Sequence, residues 1–106
     1  MFATVLFENV PVARINVGAR TGDTALDYAY FRTQNIQGSW SRGESFDFGG
    51  ETYINQDFSE DIEVLAELPV SERTGETMGL RSSMVFDTIE FGGETFQVDF
   101  AGFKKV

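Results

Sequence analysis

The densest group of potential metal ligands lies in the segment Asn55-Gln56-Asp57-Phe58-Ser59-Glu60-Asp61. Its oxygen-bearing side chains recur at every second position: Asn55, Asp57, Ser59 and Asp61. Calcium takes about six to eight hard oxygen ligands, and alternating side chains in a curled loop can supply several of them. The EF-hand pattern is not met, because its sixth position is Glu60 instead of glycine and its twelfth is Ala66 instead of glutamate. A polar turn between strands explains the same residues, so we predict no cofactor and keep calcium only as an alternative.

The chain contains no histidine and no cysteine. This removes the commonest general base, the commonest metal ligand, every Ser-His or Cys-His catalytic arrangement, disulfides and thiolate zinc sites. The Walker, dinucleotide-binding, serine-hydrolase and zincin patterns are also absent. Pairs of carboxylates serve glycoside hydrolysis, but a small β domain rarely encloses the deep cleft that this chemistry needs. We therefore predict no catalytic residues and a protein that is not an enzyme.

The charge of the chain points away from nucleic acid. Seventeen acidic residues against eight basic ones give a net charge of −9, and only Lys104 and Lys105 are adjacent basic residues. Nucleic-acid binding depends on neutralising phosphates, whereas an acidic surface repels nucleic acid and anionic membranes and attracts basic proteins. We predict direct binding to neither nucleic acid nor membrane, and a protein partner that can carry a basic surface.

Three acidic residues are candidates for contact with such a partner. Asp61, Glu63 and Glu67 share one face if their segment is a strand, and a row of carboxylates can imitate phosphates for a basic groove. A solvated outer face that protects a sheet edge explains the same row and is the preferred interpretation.

Three aromatic residues are the other partner-binding candidates. Trp40 lies in the polar, glycine-flanked segment 37–43, where an exposed ring can anchor an interface or stack on a sugar. The preferred alternative is that this single tryptophan folds back over the core. Tyr28 and Tyr30 fall on one face of a predicted strand over 24–33 that is apolar on both faces, so the strand is central or one face is covered by a partner.

Alternation of apolar and polar residues predicts short strands along most of the chain. They cover residues 2–7, 12–17, 24–33, 46–48, 52–55, 61–70, 77–81, 84–91 and 95–101. A helix over 59–68, capped by Ser59 and ended by Pro69, is the alternative for the sixth of these. Phenylalanines in the strands are expected to face the core, including Phe48, Phe86 and Phe100.

One internal repeat predicts two tight turns. Phe48-Gly49-Gly50-Glu51-Thr52-Tyr53 recurs as Phe91-Gly92-Gly93-Glu94-Thr95-Phe96. A glycine pair between alternating runs is typical of two-residue hairpins, whose turns need positive φ. A phosphate-binding loop would instead open a helix, and strand residues follow both pairs. We therefore predict structural turns at Gly49, Gly50, Gly92 and Gly93.

These observations predict one all-β domain over residues 1–106, an antiparallel sandwich or barrel of eight or nine short strands with at most one short helix, at 59–68. With no charged start and no long apolar span, the protein is expected to be soluble and by default cytoplasmic, although a secreted protein that has lost its leader fits equally. The expected function is a non-catalytic, protein-binding interaction or assembly module, such as an inhibitor or a structural subunit, and a homo-oligomer is compatible with it. Two alternatives remain: an acidic decoy of the viral-antagonist type, which occupies a basic nucleic-acid-binding protein, and an extracellular calcium- or carbohydrate-binding module.

Overall fold

The computed structural model describes residues 1–106 and contains eight strands and one helix. In chain order the elements are β1 (Phe2–Phe7), β2 (Val10–Asn16), α1 (Gly22–Arg32), β3 (Ser45–Phe48), β4 (Glu51–Ile54), β5 (Ile62–Val64), β6 (Thr88–Phe91), β7 (Glu94–Asp99) and β8 (Gly102–Lys105). Six strands form one sheet in the order β5-β2-β1-β6-β7-β8, and β3 and β4 form a separate two-stranded sheet. Every pairing is antiparallel. The prediction of a small antiparallel β domain with at most one short helix is confirmed, although the helix spans Gly22–Arg32 and not residues 59–68.

The six-stranded sheet is buried on one face and open on the other. The buried face carries Ala3, Val5, Ala13, Ile15, Ile89 and Val98. On the open face Arg14 Nη2 lies 2.6 Å from Glu63 Oε1, and Thr4 and Glu90 are opposite each other. Strand side chains alternate between faces, so the apolar residues of each strand reach one core while the polar ones meet water.

Helix α1 covers the buried face and occupies residues that the sequence analysis assigned to a strand. Ala25, Leu26 and Ala29 are buried against the sheet, and these positions recur with the period of a helix. Asp23 in the first turn and Arg32 in the last turn also suit the helix dipole. The strand prediction for 24–33 is therefore wrong, because the small alanines form a stripe that lets a helix approach the sheet closely. No helix in the structure is long and apolar enough to cross a membrane.

The alternative helix over 59–68 does not form, and the predicted strand 61–70 is shorter than expected. Strand β5 spans only Ile62–Val64, although the alternation of inner and outer side chains continues to Leu68. The predicted strand 77–81 is absent, since only an isolated bridge joins Val70 and Thr77. The strand predicted over 84–91 begins only at Thr88.

A buried tryptophan and an ion pair hold the long irregular segments onto the sheet. Trp40 is 1% exposed, meets the ring of Phe7 edge-on at 6.2 Å between centroids, and donates its indole N–H to the carbonyl of Arg81 at 2.8 Å. The Arg81 guanidinium donates to both carboxylate oxygens of buried Asp87 at 2.7 and 2.9 Å. This hydrogen bonding raises the pKa of Arg81 above its ordinary value. Because the pKa is higher in the folded state, the charged guanidinium stabilises the fold, and this contribution is lost as the pH rises through the raised pKa.

Candidate interaction surface

The β3–β4 hairpin stands apart from the rest of the fold, and we call residues 45–54 the hairpin arm. Its two strands pair only with each other, and neither makes an extended contact with α1 or with the six-stranded sheet. An isolated two-stranded hairpin is only marginally stable in water. The arm is therefore the part of the molecule that gains most from a covering partner.

Local sequence is sufficient to form the turn of the arm. Gly49 and Gly50 have φ of 61° and 82°, which glycine adopts without strain and which a two-residue hairpin turn requires. Phe48 lies opposite Glu51, and the Thr52 hydroxyl donates to Asp47 Oδ1 at 2.6 Å across the strands. The glycine pair thus forms the two-residue turn that the repeat predicts.

One face of the arm is aromatic and exposed. Phe46 lies opposite Tyr53, their rings stack with centroids 6.1 Å apart, and Phe48 continues the same face. Phe48 is 53% and Tyr53 43% exposed, and Ile54 is exposed on the other face. A cluster of large apolar side chains in water marks an interaction site more often than it serves the monomer.

The arm is tied to the molecule at its base by two of the predicted calcium ligands. Asn55 is 5% exposed, accepts from the backbone N–H of Ser39 at 2.9 Å, and donates to the carbonyls of Ser39 and Gly43 at 2.6 and 2.8 Å. One carboxylate oxygen of Asp57 accepts from the three backbone N–H groups of residues 36–38 at 2.7 to 3.1 Å. These side chains satisfy backbone groups of a loop that has no strand or helix partner.

The other two predicted ligands do not join them at a common point. The Ser59 hydroxyl accepts from the backbone N–H of Asp61 at 3.2 Å, and the Asp61 carboxylate accepts from the hydroxyl of Tyr28. No group of three or more histidine, cysteine, aspartate or glutamate side chains is placed to hold a metal ion. Asn55 and Asp57 hold the loop of residues 36–43, Ser59 bonds within its own turn, and Asp61 bonds to Tyr28 of α1.

The two candidate tyrosines lie on α1, so the expectation that they share a strand face is wrong. The Tyr28 ring is covered by the Arg20 guanidinium at 3.7 Å from its centroid. Tyr30 packs edge-on against Phe103 of β8 with centroids 6.4 Å apart. Both rings are half-buried and pack the helix against its neighbours. Residues two apart lie on one face of a strand but point in different directions on a helix, so the predicted strand put the two rings together and the helix separates them.

Trp40 and the three acidic candidates are not arranged as the partner-binding hypothesis requires. Trp40 is in the core, so the interpretation of it as an exposed anchor is wrong, and its alternative, a ring folded over the core, is correct. Asp61 lies in the turn before β5, and Glu63 is paired with Arg14. Glu67 alone of the three is exposed without an ion pair, so the structure does not present a row of free carboxylates.

A second exposed aromatic patch was missed by the sequence analysis. Phe86 and Phe100 meet edge-on with centroids 6.1 Å apart, and Phe100 is 84% exposed. Phe86 has a φ of 79°, a strained conformation for a bulky residue, and Phe100 borders a shallow groove of about 300 Å³. Alternation along the predicted strands 84–91 and 95–101 predicted that both rings face the core, and this prediction is wrong. Asp99 and Gly102 on either side of Phe100 are turn formers, and they are the signal that could have placed it in the β7–β8 turn.

The hairpin arm is the stronger candidate of the two exposed patches. It combines aromatic side chains with strands whose outer backbone edges are unpaired, whereas both rings of the patch around Phe86 lie in turns. Comparison of the chain with protein-family models, with curated proteins and with solved structures finds no match.

Proposed function

We propose that this protein is a non-catalytic interaction or assembly module that binds another protein through the hairpin arm. The observation that carries the proposal is the exposed aromatic face of the arm, formed by Phe46, Phe48 and Tyr53. Burial of apolar surface contributes about 25 cal/mol per Å², and aromatic side chains dominate the energetics of many interfaces. The arm gains this energy only when a partner covers it.

The unpaired backbone edges of β3 and β4 add a second mode of contact. Each strand of the arm has one neighbour only, so one row of its N–H and C=O groups faces outward. A strand of another protein can pair with such an edge, with affinity from main-chain hydrogen bonds and specificity from alternate side chains. The arm therefore suits a partner with an open sheet edge beside an apolar groove.

Charge narrows the chemistry of the partner. Asp47 and Glu51 lie within the arm, Glu44 precedes it, and residues 45–54 contain no lysine or arginine. Complementary charge accelerates association and disfavours wrong partners. We expect the partner surface to carry basic side chains around its apolar groove.

The test is partner capture from the native host with a double variant, Phe48→Ser with Tyr53→Ser. Both side chains are exposed, so the free energy of unfolding should change by only about 0.5 kcal/mol for each, while capture is lost. Phe100→Ser, on the second aromatic patch, is the matched control and should capture as the parent does. Capture that survives the double variant and disappears in Phe100→Ser would contradict the proposal.

The salt dependence of partner binding distinguishes this proposal from the acidic decoy. A complex held by the apolar face of the arm should persist as salt is raised, because screening weakens only its charged rim. A complex that dissociates steadily with salt and is indifferent to Phe48→Ser would favour the decoy instead. Sedimentation of the parent and of the double variant shows whether the partner is a second copy of this chain.

A further inference from the structure

A cleft at the root of the hairpin arm contains an arginine without a carboxylate partner. The cleft has a volume of about 400 Å³ and lies between β3 and the segment 68–77. Its lining includes Arg42, Ser45, Phe46, Asp47, Leu68 and Glu76. Phe46 is the one residue that this cleft shares with the exposed aromatic face of Phe46, Phe48 and Tyr53.

Arg42 differs from the other basic residues around the core. Arg14 and Arg81 pair with carboxylates, and Arg20 and Arg32 donate hydrogen bonds to the Val17 carbonyl and the Tyr28 hydroxyl. The Arg42 guanidinium has neither kind of partner, even though Asp47 and Glu76 line the same cleft. Its Nε is shielded from solvent and has no hydrogen-bond partner. Buried donors of folded proteins are nearly always satisfied, and a charged donor without an acceptor is the most costly kind. The Arg42 guanidinium therefore has no acceptor within the fold.

The Arg42 side chain is held in place before any ligand arrives. Its guanidinium lies over the ring of Phe46, 4.6 Å from the centroid, which is a favourable cation–π arrangement. Its backbone N–H donates to the carbonyl of Ser39 at 3.3 Å, and its carbonyl accepts from the side chain of Asn55 at 3.2 Å. A fixed fork of donors loses little further freedom on binding.

We propose that this cleft binds a monocarboxylate, with Arg42 paired to the carboxylate and the apolar part of the ligand against Phe46 and Leu68. A carboxylate matches the guanidinium fork with two parallel hydrogen bonds. Asp47 and Glu76 add negative charge at the same place, which disfavours a dianion such as phosphate more than a single carboxylate. The volume is in the ordinary range of small-molecule sites. A free small acid and the C-terminal carboxylate of a peptide share this chemistry, and neither requires the arm to have a protein partner.

The test is titration of the protein with propionate, with N-acetyl-dialanine and with inorganic phosphate, followed by backbone amide NMR. At least one of the two carboxylates should shift the signals of residues 41–47, 68 and 77 selectively. Tighter binding of propionate would identify the ligand as a free acid, and tighter binding of N-acetyl-dialanine would identify it as a chain end. Arg42→Gln should weaken binding by about tenfold or more, and Arg42→Lys, which keeps the charge and loses the fork, by less. Arg73→Gln is the matched control, because Arg73 lies in an exposed turn outside the cleft and its loss should leave binding unchanged.

A second variant, for which tighter binding is expected, keeps the test decisive if Arg42→Gln does not fold. Glu76→Gln removes a repulsive charge from the cleft and should bind the carboxylate more tightly than the parent, which a merely structural role for this residue does not predict. The proposal is overturned if neither carboxylate shifts these signals, if phosphate binds as tightly as the carboxylates, or if Arg42→Gln binds as the parent does. None of these results depends on partner capture by Phe48 and Tyr53.

Discussion

Two hairpins of this molecule share one six-residue pattern and lie in opposite surroundings. The turn glycines have φ of 61° and 82° in the arm and 62° and 79° in β6–β7, and both turns close on the same register of phenylalanine opposite glutamate. The β6–β7 hairpin lies inside the six-stranded sheet between β1 and β8, whereas no further strand pairs with the arm. The pattern therefore specifies a turn and nothing about what covers it.

The difference arises from the residues that flank the repeat. Ile89, two positions before Phe91, is completely buried and lies opposite Val5 of β1, while the equivalent Phe46 is only half-buried and rests beside Arg42. Strand β7 extends for six residues and pairs with β8, whereas each strand of the arm has four. Length and a second pairing partner convert a local turn into part of the core.

The largest contrast is expected between Ile89→Ala and Phe46→Ala. Removal of the buried Ile89 side chain leaves a cavity and should lower the free energy of unfolding by about 2–5 kcal/mol. Phe46→Ala should cost much less, because its ring is already partly in water. Thermal or denaturant unfolding measures both, and equal losses would show that the arm belongs to the cooperative core.

The next effect in size is expected at the base of the arm. Asn55→Ala removes the acceptor of the Ser39 N–H and the donor to three carbonyls, which should lower the free energy of unfolding by about 2–3 kcal/mol. Hydrogen exchange of residues 36–43 and 45–54 should accelerate more than that of the six-stranded sheet. Gln56→Ala, at the exposed neighbouring position, is the control, and if it behaves like Asn55→Ala the buried amide does not hold the arm.

The smallest change in global stability is expected from valine substitutions at the two glycine turns, and it should differ between them. A Cβ at Gly50 or Gly93 meets no atom within 4 Å, so valine there is strained only by the positive φ, at about 1–3 kcal/mol. Gly93→Val should lower the global melting temperature, whereas Gly50→Val should open the arm and leave the melting temperature of the sheet almost unchanged. Matched calorimetry and hydrogen exchange of the two variants test this, and an equal fall in melting temperature would remove the distinction between the hairpins.

Alternation and glycine pairs were sufficient to predict β1, β3 and both tight turns, because these features depend on neighbours in sequence. The helix was missed because Ala25, Leu26 and Ala29 fit two periods at once, and only the sheet beneath them selects the helical one. The exposed position of Phe100 was missed for a related reason, since alternation does not show where a strand ends. The roles of Trp40 and Asn55 depend on contacts with residues far away in sequence, which no local pattern encodes.

The pairing of β1 with β6 constrains the order in which the chain can acquire its structure. Thr4 lies opposite Glu90 and Leu6 opposite Thr88, so the second neighbour of the first strand is made only after most of the intervening chain has been synthesised. Until residues 88–91 leave the ribosome, the edge of β1 that faces away from β2 has no internal partner. Pairings between such distant segments form slowly, and exposed strand edges promote association with other chains. A nascent chain of this protein is therefore expected to aggregate most readily just before β6 emerges.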